Sequence, residues 1–242
     1  MSQPPSAMPD DVRVVAVILA AGAGTRLDAP EPKGFVEVGG RPMLQLAAAA
    51  AADSPVVDAI VVTVPAGLED RARRLLEPLP ARAHVVAGGS TRHGSVAAAL
   101  RVIPSSCSLV LCHDAARPFA SASLFTRVVE ALDGASADVA GVLPAVSVTD
   151  TIKRVRDEVV LSTEDRSELR IAQTPQGFRA EVLRGAHERA ARSEERFTDD
   201  AAAVESDGGK VATIDGERDN FKITDGHDLV RADLMLARAR RG

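Results

Sequence analysis

Aromatic residues are scarce in this chain of 242 residues, which has six Phe but no Tyr and no Trp. Proteins that hold single-stranded nucleic acid stack its bases on aromatic platforms, and this chain can hardly build one. Neither sign of charge dominates, since 29 Lys+Arg stand against 34 Asp+Glu for a net charge of −5. A general nucleic-acid binder usually carries a basic excess, so nucleic acid is not an expected partner. Cysteine is limited to Cys107 and Cys112, which form neither a CxxC pair nor a ligand cluster. That argues against a disulfide framework and against a zinc site. Long hydrophobic runs are also missing. The stretch from Val14 to Ala21 is too short to span a bilayer, and the start, MSQPPSAMPDD, is acidic and proline-rich where a signal peptide would be basic. We therefore expect no membrane partner, a reduced cytoplasmic setting, and a disordered tail over residues 1–11 ahead of one domain over residues 12–242.

What is present is an alternation. Short β-branched apolar runs at 12–20, 56–64, 84–87, 109–113 and 139–144 alternate with Ala/Leu-rich stretches of helical length at 42–52, 66–77, 91–102 and 121–132. Strands that are apolar on both faces belong in a parallel sheet covered by helices on both sides, so the expected fold class is α/β. Residues 145–172 break the rhythm by mixing β-branched with charged residues, and RDE at 156–158 reads as a turn between two extended arms. An isolated hairpin is marginal in water. This one is too polar to pack fully on its own sheet, so it is read as a β-arm that reaches over a second subunit. The α/β pattern then returns, with helices near 180–191 and after Thr198-Asp199, a strand at 210–214 and a closing helix over 224–240.

The densest chemical signal is LAAGAGTRLDAPEPKGF at 19–35, directly after a buried strand. Gly22 and Gly24 allow a tight turn whose backbone N–H groups can approach phosphate oxygens. Leu27 stands where a dinucleotide-binding fingerprint needs its third glycine, and no Gly-Lys-Ser/Thr follows, so neither that fingerprint nor a P-loop is present. Pro30 and Pro32 favour a stiff extended loop that can bring Arg26 and Lys33 back onto one ligand, and two cations beside a glycine turn suit a triphosphate. The second signal is HDAARP at 113–118, which places Asp114 at a strand's carboxyl end, fit to help hold a metal ion, and aims Arg117 across the cleft. Weaker elements are GGSTRHGSV at 88–96, whose Ser90 and Ser95 could read a base edge, Thr198-Asp199-Asp200 at a helix start, and Lys222 within DNFKIT at 219–224.

LAAGAGTRL with the following Pro-Lys resembles the broad nucleotidyltransferase superfamily. HDAARP at 113, DT at 150, DR at 165, TPQ at 174, TD at 198 and NFK at 220 resemble, in order and spacing, the 2-C-methyl-D-erythritol 4-phosphate cytidylyltransferase family over about 12–240. The resemblance implies a Rossmann-like, mostly parallel sheet and a homodimer whose β-arms complete each other's sites. It also implies a Mg²⁺-dependent reaction of CTP with methylerythritol phosphate. Carried over residue by residue, it makes Arg26, Lys33, Arg166 and Lys222 the catalytic group. Ala20, Ala21, Gly22, Gly24, Gly89, Ser90, Ser95, Asp114 and Ala115 would contact the nucleotide, Asp114 also the metal, and Thr151, Arg117 and Thr198 the acceptor. Gly34 departs from the family's usual Gln and is expected to loosen the loop behind Lys33; Ser90 and Gly94 stand where many members are acidic. Two alternatives remain open on the residues alone: transfer to another polyol phosphate such as ribitol 5-phosphate, and a nucleotide-binding regulator without catalysis.

Overall fold

The computed structural model of the chain describes residues 8–9, 11–22, 24, 27, 31–79, 83–192 and 197–239. At its centre is β1 (Val14–Leu19), a six-residue strand of which five residues are buried. Successive side chains of a strand face opposite ways, and β1 therefore serves two cores, with Val14, Ala16 and Ile18 in one and Val15 and Val17 in the other. After β1 a short antiparallel pair, β2 (Glu37–Val38) with β3 (Arg41–Pro42), leads toward the first helix.

Parallel pairing joins β1 to β4 (Ala59–Val64) on one side and to β6 (Leu109–Asp114) on the other, and β5 (Ala83–Ala87) lies along β4. The chain thus builds outward from β1 in one direction and then crosses back to the other, which puts a topological switch point beside the carboxyl end of β1. Beyond β6 the sheet becomes mixed. Next to β6 lies β11 (Gln176–Arg179), antiparallel both to β6 and to β7 (Val139–Ser147) on its other side. On β7 also lie β10 (Arg170–Ala172), antiparallel, and β12 (Lys210–Asp215), parallel. The eight-stranded sheet is mostly parallel, as expected, and its two antiparallel members are the short strands that the apolar pattern does not announce.

Helices cover both faces. α1 (Met43–Ala52), α2 (Glu69–Leu76) and α4 (Ala122–Asp133) fill the first core with residues such as Leu44, Ala48, Leu76 and Phe125. α3 (Arg92–Leu100), α5 (Ala180–Ala190) and α6 (Asp200–Ser206) fill the second with Val96, Leu183 and Val204. A third, smaller core joins Leu27, Val36, Val38 and Met43 to Ile223 and to Ala232 of α7 (Gly226–Ala239). Among the described residues, no helix is long and apolar enough to cross a membrane.

Two expectations about segments meet the structure differently. An exposed hairpin lies within the segment read as an arm: among the described residues β8 (Lys153–Arg156) pairs only with β9 (Val159–Thr163), every residue of both is exposed, and the chain turns through Asp157 and Glu158. Both turn residues have positive φ, 46° and 64°, the backbone that a two-residue hairpin loop requires. Within the segment expected as a loose tail, however, Met8 is only 8% exposed and packs in the second core.

Candidate active site

Backbone hydrogen bonds gather the strand ends at the switch point. Ala115 N–H donates to Leu19 O at 3.1 Å, Ala20 N–H to Thr63 O at 2.8 Å and Gly88 N–H to Val64 O at 2.8 Å. The loops after β1, β4, β5 and β6 therefore surround one cleft of about 620 Å³, a size that suits a small-molecule ligand. Ala20, Ala21, Gly22, Gly24, Gly89, Ser90, Ser95, Asp114 and Ala115 all line it, together with Lys33 and Lys222. Segments 200 residues apart in the chain thus face one space.

Lys33 lines the cleft with Gly24 against its stem. Gly24 has φ +66°, and a Cβ there would stand 2.6 Å from Lys33 Cβ, so the glycine turn presses directly on the lysine stem. Behind Lys33 the expected looseness is absent. Gly34 is buried, and a Cβ on it would come within 2.7 Å of Ala20 Cβ; the residue is small because two backbone segments meet there. Phe35 is fully buried, with the Arg71 guanidinium 4.6 Å above its ring. Arg26 lies outside the described residues.

Asp114, the last residue of β6, accepts from Lys222 Nζ at 2.7 Å and from Arg92 Nε at 3.3 Å. Burial disfavours its charge, but Arg92, Lys222 and Arg117 outweigh burial and hold its pKa well below the usual carboxylate range. Arg92 in turn donates through Nη1 to Asp200 at 2.5 Å, and His187 Nε2 donates to the other oxygen of Asp200 at 3.1 Å. Arg92 lines the cleft, and sequence reading passed over it. GGSTRHGSV drew attention for its small residues, and the arginine among them gains its meaning from Asp200, 108 positions away.

His113 is buried and neutral, its pKa lowered to about 4 chiefly by burial. Its Nε2 donates to Arg117 O at 3.2 Å, and Thr174 Oγ1 donates to its Nδ1 at 2.8 Å while accepting from Asp114 N–H at 3.1 Å. This ring fixes the backbone of Asp114 and is not open to substrate. Ser95 has a similar duty, since its Oγ accepts from Gly89 N–H at 3.2 Å and donates to Thr91 O at 3.0 Å, which shapes the loop wall.

The residues expected at the acceptor are not brought to the cleft by this chain alone. Arg117 donates Nη1 to Asn220 O at 2.8 Å and Nη2 to Ala172 O at 3.0 Å. Instead of aiming across the cleft, it ties the base of the arm to the segment that carries Lys222. Thr151 and Arg166 are exposed on the arm, where Arg166 Nη1 donates to Thr149 O at 2.6 Å. Thr198 is exposed beside Asp199, which caps α6 by accepting from Ala202 N–H at 2.9 Å.

Comparison with known proteins agrees with this geometry. The model of a family described as IspD: 2-C-methyl-D-erythritol 4-phosphate cytidylyltransferase matches residues 14–238. A 2-C-methyl-D-erythritol 4-phosphate cytidylyltransferase of Rhodococcus jostii is 48% identical over 225 residues, covering 92% of this chain and 95% of that protein. A bifunctional enzyme IspD/IspF of Nitrobacter winogradskyi is 42% identical over 239 residues, covering 96% of this chain; the chain spans only 58% of that relative's length. The crystal structure of 4-diphosphocytidyl-2C-methyl-D-erythritol synthase from Anaerococcus prevotii superposes with a TM-score of 0.83 at 31% identity, covering 94% of this chain and 97% of that one. With the cleft at the switch point, the cations around it and a family match over nearly its whole length, this chain belongs to the 2-C-methyl-D-erythritol 4-phosphate cytidylyltransferase family.

Proposed function

We propose that the chain transfers the cytidylyl group of CTP to 2-C-methyl-D-erythritol 4-phosphate, giving 4-diphosphocytidyl-2-C-methyl-D-erythritol and pyrophosphate. The observation that carries this reading is the ionisable lining of the cleft, which among the described residues is three cations, Lys33, Arg92 and Lys222, around one carboxylate, Asp114. Such a site is built for anions and offers little proton chemistry, and phosphoryl transfer between two phosphates needs little. A phosphate monoester loses its second proton at about pH 6, so the attacking oxygen is already anionic and requires no general base. That oxygen forms a bond to the α-phosphorus of CTP in line, the bond from the α-phosphorus to the bridging oxygen breaks, and pyrophosphate leaves with the electron pair.

The protein then has to position two polyanions and meet the charge that develops between them. Lys33, pressed against the glycine turn, suits the triphosphate and the leaving pyrophosphate, and Arg26 belongs beside it on the family motif. Lys222 suits the acceptor phosphate. Arg166 and Thr151 are proposed to act in the neighbouring subunit's site from the exposed β-arm, making the assembly a homodimer with shared sites. Val155, Val159, Val160 and Leu161 on that arm are each more than 50% exposed, apolar area that a second subunit would cover.

A divalent metal fits the donor set. Mg²⁺ is commonly held by one or two carboxylates plus substrate phosphates, and Asp114 is an ionised carboxylate on the cleft wall. Asp114 would hold it, and when bound it would neutralise charge on the phosphates. The test is pyrophosphate release with each of CTP, UTP, ATP and GTP, using methylerythritol phosphate and ribitol phosphate as separate acceptors. Release confined to CTP with methylerythritol phosphate, and abolished by chelator, is expected. Release with ribitol phosphate instead would overturn the acceptor, and full activity in chelator would overturn the metal.

A further inference from the structure

Five side chains from five segments form a continuous line beside the cleft: Lys222, Asp114, Arg92, Asp200 and His187. Its two ends differ in freedom. The Asp200 and His187 side chains are 2% and 3% exposed, and the His187 ring is backed by His93 in a parallel stack at 4.2 Å. Lys222 is 40% exposed, a long flexible arm at the mouth of the cleft. Between them Asp114, only 13% exposed, is shared by Lys222 and Arg92, one on each carboxylate oxygen.

This division matters if Lys222 must meet a substrate phosphate. A largely buried carboxylate abandoned by its partner is strongly destabilised, so before a metal binds, an Asp114 paired with Lys222 alone would hold the lysine back. Arg92 removes that obstacle only if it stays in place when Lys222 moves. Asp200 supplies the hold: it is buried at the first turn of α6, reaches Arg92 Nη1 at 2.5 Å, and has its second oxygen occupied by His187. Arg117, whose charge also acts on Asp114, is committed to two backbone carbonyls. Building on the function proposed above, we propose that Arg92 is the standing counter-ion of Asp114, kept there by the positioning residue Asp200, so that Lys222 is released to bind the acceptor phosphate.

The competing account is that the Arg92–Asp200 pair merely ties α3 to α6. A set of variants separates the two: Arg92→Gln, Arg92→Lys, and the double variant Arg92→Gln/Asp200→Asn, which removes both charges of the pair together. Each is measured for kcat, for the KM of methylerythritol phosphate and of CTP, and for thermal unfolding. In Arg92→Gln we expect the acceptor KM to rise by about tenfold or more, the scale on which truncating one partner of a buried charge pair acts, with a far smaller change for CTP. The double variant should regain most of the melting temperature yet keep the raised acceptor KM, and Arg92→Lys should recover part of it. A double variant with both melting temperature and acceptor KM near wild type would overturn the proposal. So would equal rises in the two KM values. If the wild-type protein itself fails to turn over, the fault lies in the proposed function; calorimetric binding of inorganic phosphate to wild type and to the double variant then decides the present point. Weaker binding in the variant supports it, and equal binding refutes it.

Discussion

Gly34 shows how a single residue can set the position of a reactive one. Its missing Cβ lets the turn at Lys33 lie against Ala20 at the end of β1, and a methyl group would be forced to 2.7 Å from Ala20 Cβ with Ala20 O at 3.2 Å. Neither neighbour is the end of a flexible side chain, so the backbone itself must move. Gly34→Ala should therefore cost about 1–3 kcal/mol of stability, the range for overpacking a close-packed site. It should also lower kcat by displacing Lys33, and denaturant unfolding alongside steady-state kinetics checks both. Unchanged unfolding would mean that the approach is looser than the structure has it. At this scale Lys33 and Asp114 were marked locally by glycine, proline and strand-end neighbours, whereas Lys222 stood out only through the family resemblance of its NFK motif. Arg92 was marked by neither, since nothing within GGSTRHGSV signals a carboxylate on another helix.

α6 is an element whose existence depends on its ends. It spans seven residues, too few to be stable by helix propensity alone. Asp199 caps it by accepting from Ala202 N–H at 2.9 Å, and Gln176 fastens the same turn by donating Nε2 to Asp199 at 2.9 Å. Asp199→Ala should lower stability by about 1 kcal/mol, the typical worth of such a cap, and it should raise the acceptor KM because Asp200 follows directly. Retention of wild-type stability would show that Gln176 and packing hold α6 without the cap. The hairpin was legible as an element because charged and β-branched residues are mixed on both sides of a turn. β10 and β11 were not, being three and four residues long, and β11 is matched to its place by Gly177, where a Cβ would meet Val128 Cγ1 at 2.6 Å.

Across the whole molecule, three cores place the charged groups. The small third core is the one that matters for chemistry: it packs Leu27 and Val36, which flank Lys33 in sequence, against Ile223, the neighbour of Lys222. The two lysines are thus set relative to each other by apolar packing, while Ile223 N–H donates to Ala116 O at 2.8 Å to hold the same segment near Asp114. The exposed arm carries the remaining proposed groups away from this cleft. If it serves a neighbour, Lys33→Ala and Arg166→Ala chains, each nearly inactive alone, should complement each other when mixed. Random pairing makes about half of the dimers mixed, each with one intact site, so about a quarter of wild-type activity should return. Assay after verified subunit exchange checks this, and no recovery would rule out shared sites.

Beyond what the family resemblance added at the cleft, the sequence by itself determined the α/β class, the order of the main strands and helices, the hairpin, and the glycine-turn and strand-end residues Lys33 and Asp114. Those features rest on local information: strands apolar on both faces, helical composition between them, and motifs whose glycines and prolines constrain the backbone at once. Only the tertiary structure decided which charges meet. Arg92 and Asp200 are paired because α3 and α6 pack on the same face of the sheet. Arg117 became a strut because two carbonyls distant in sequence converge on its guanidinium. Met8, expected in the tail, packs in the second core beside residues far from it in sequence. Ion pairs and close packing depend on distances between segments far apart along the chain, and such distances exist only once the sheet has brought those segments together.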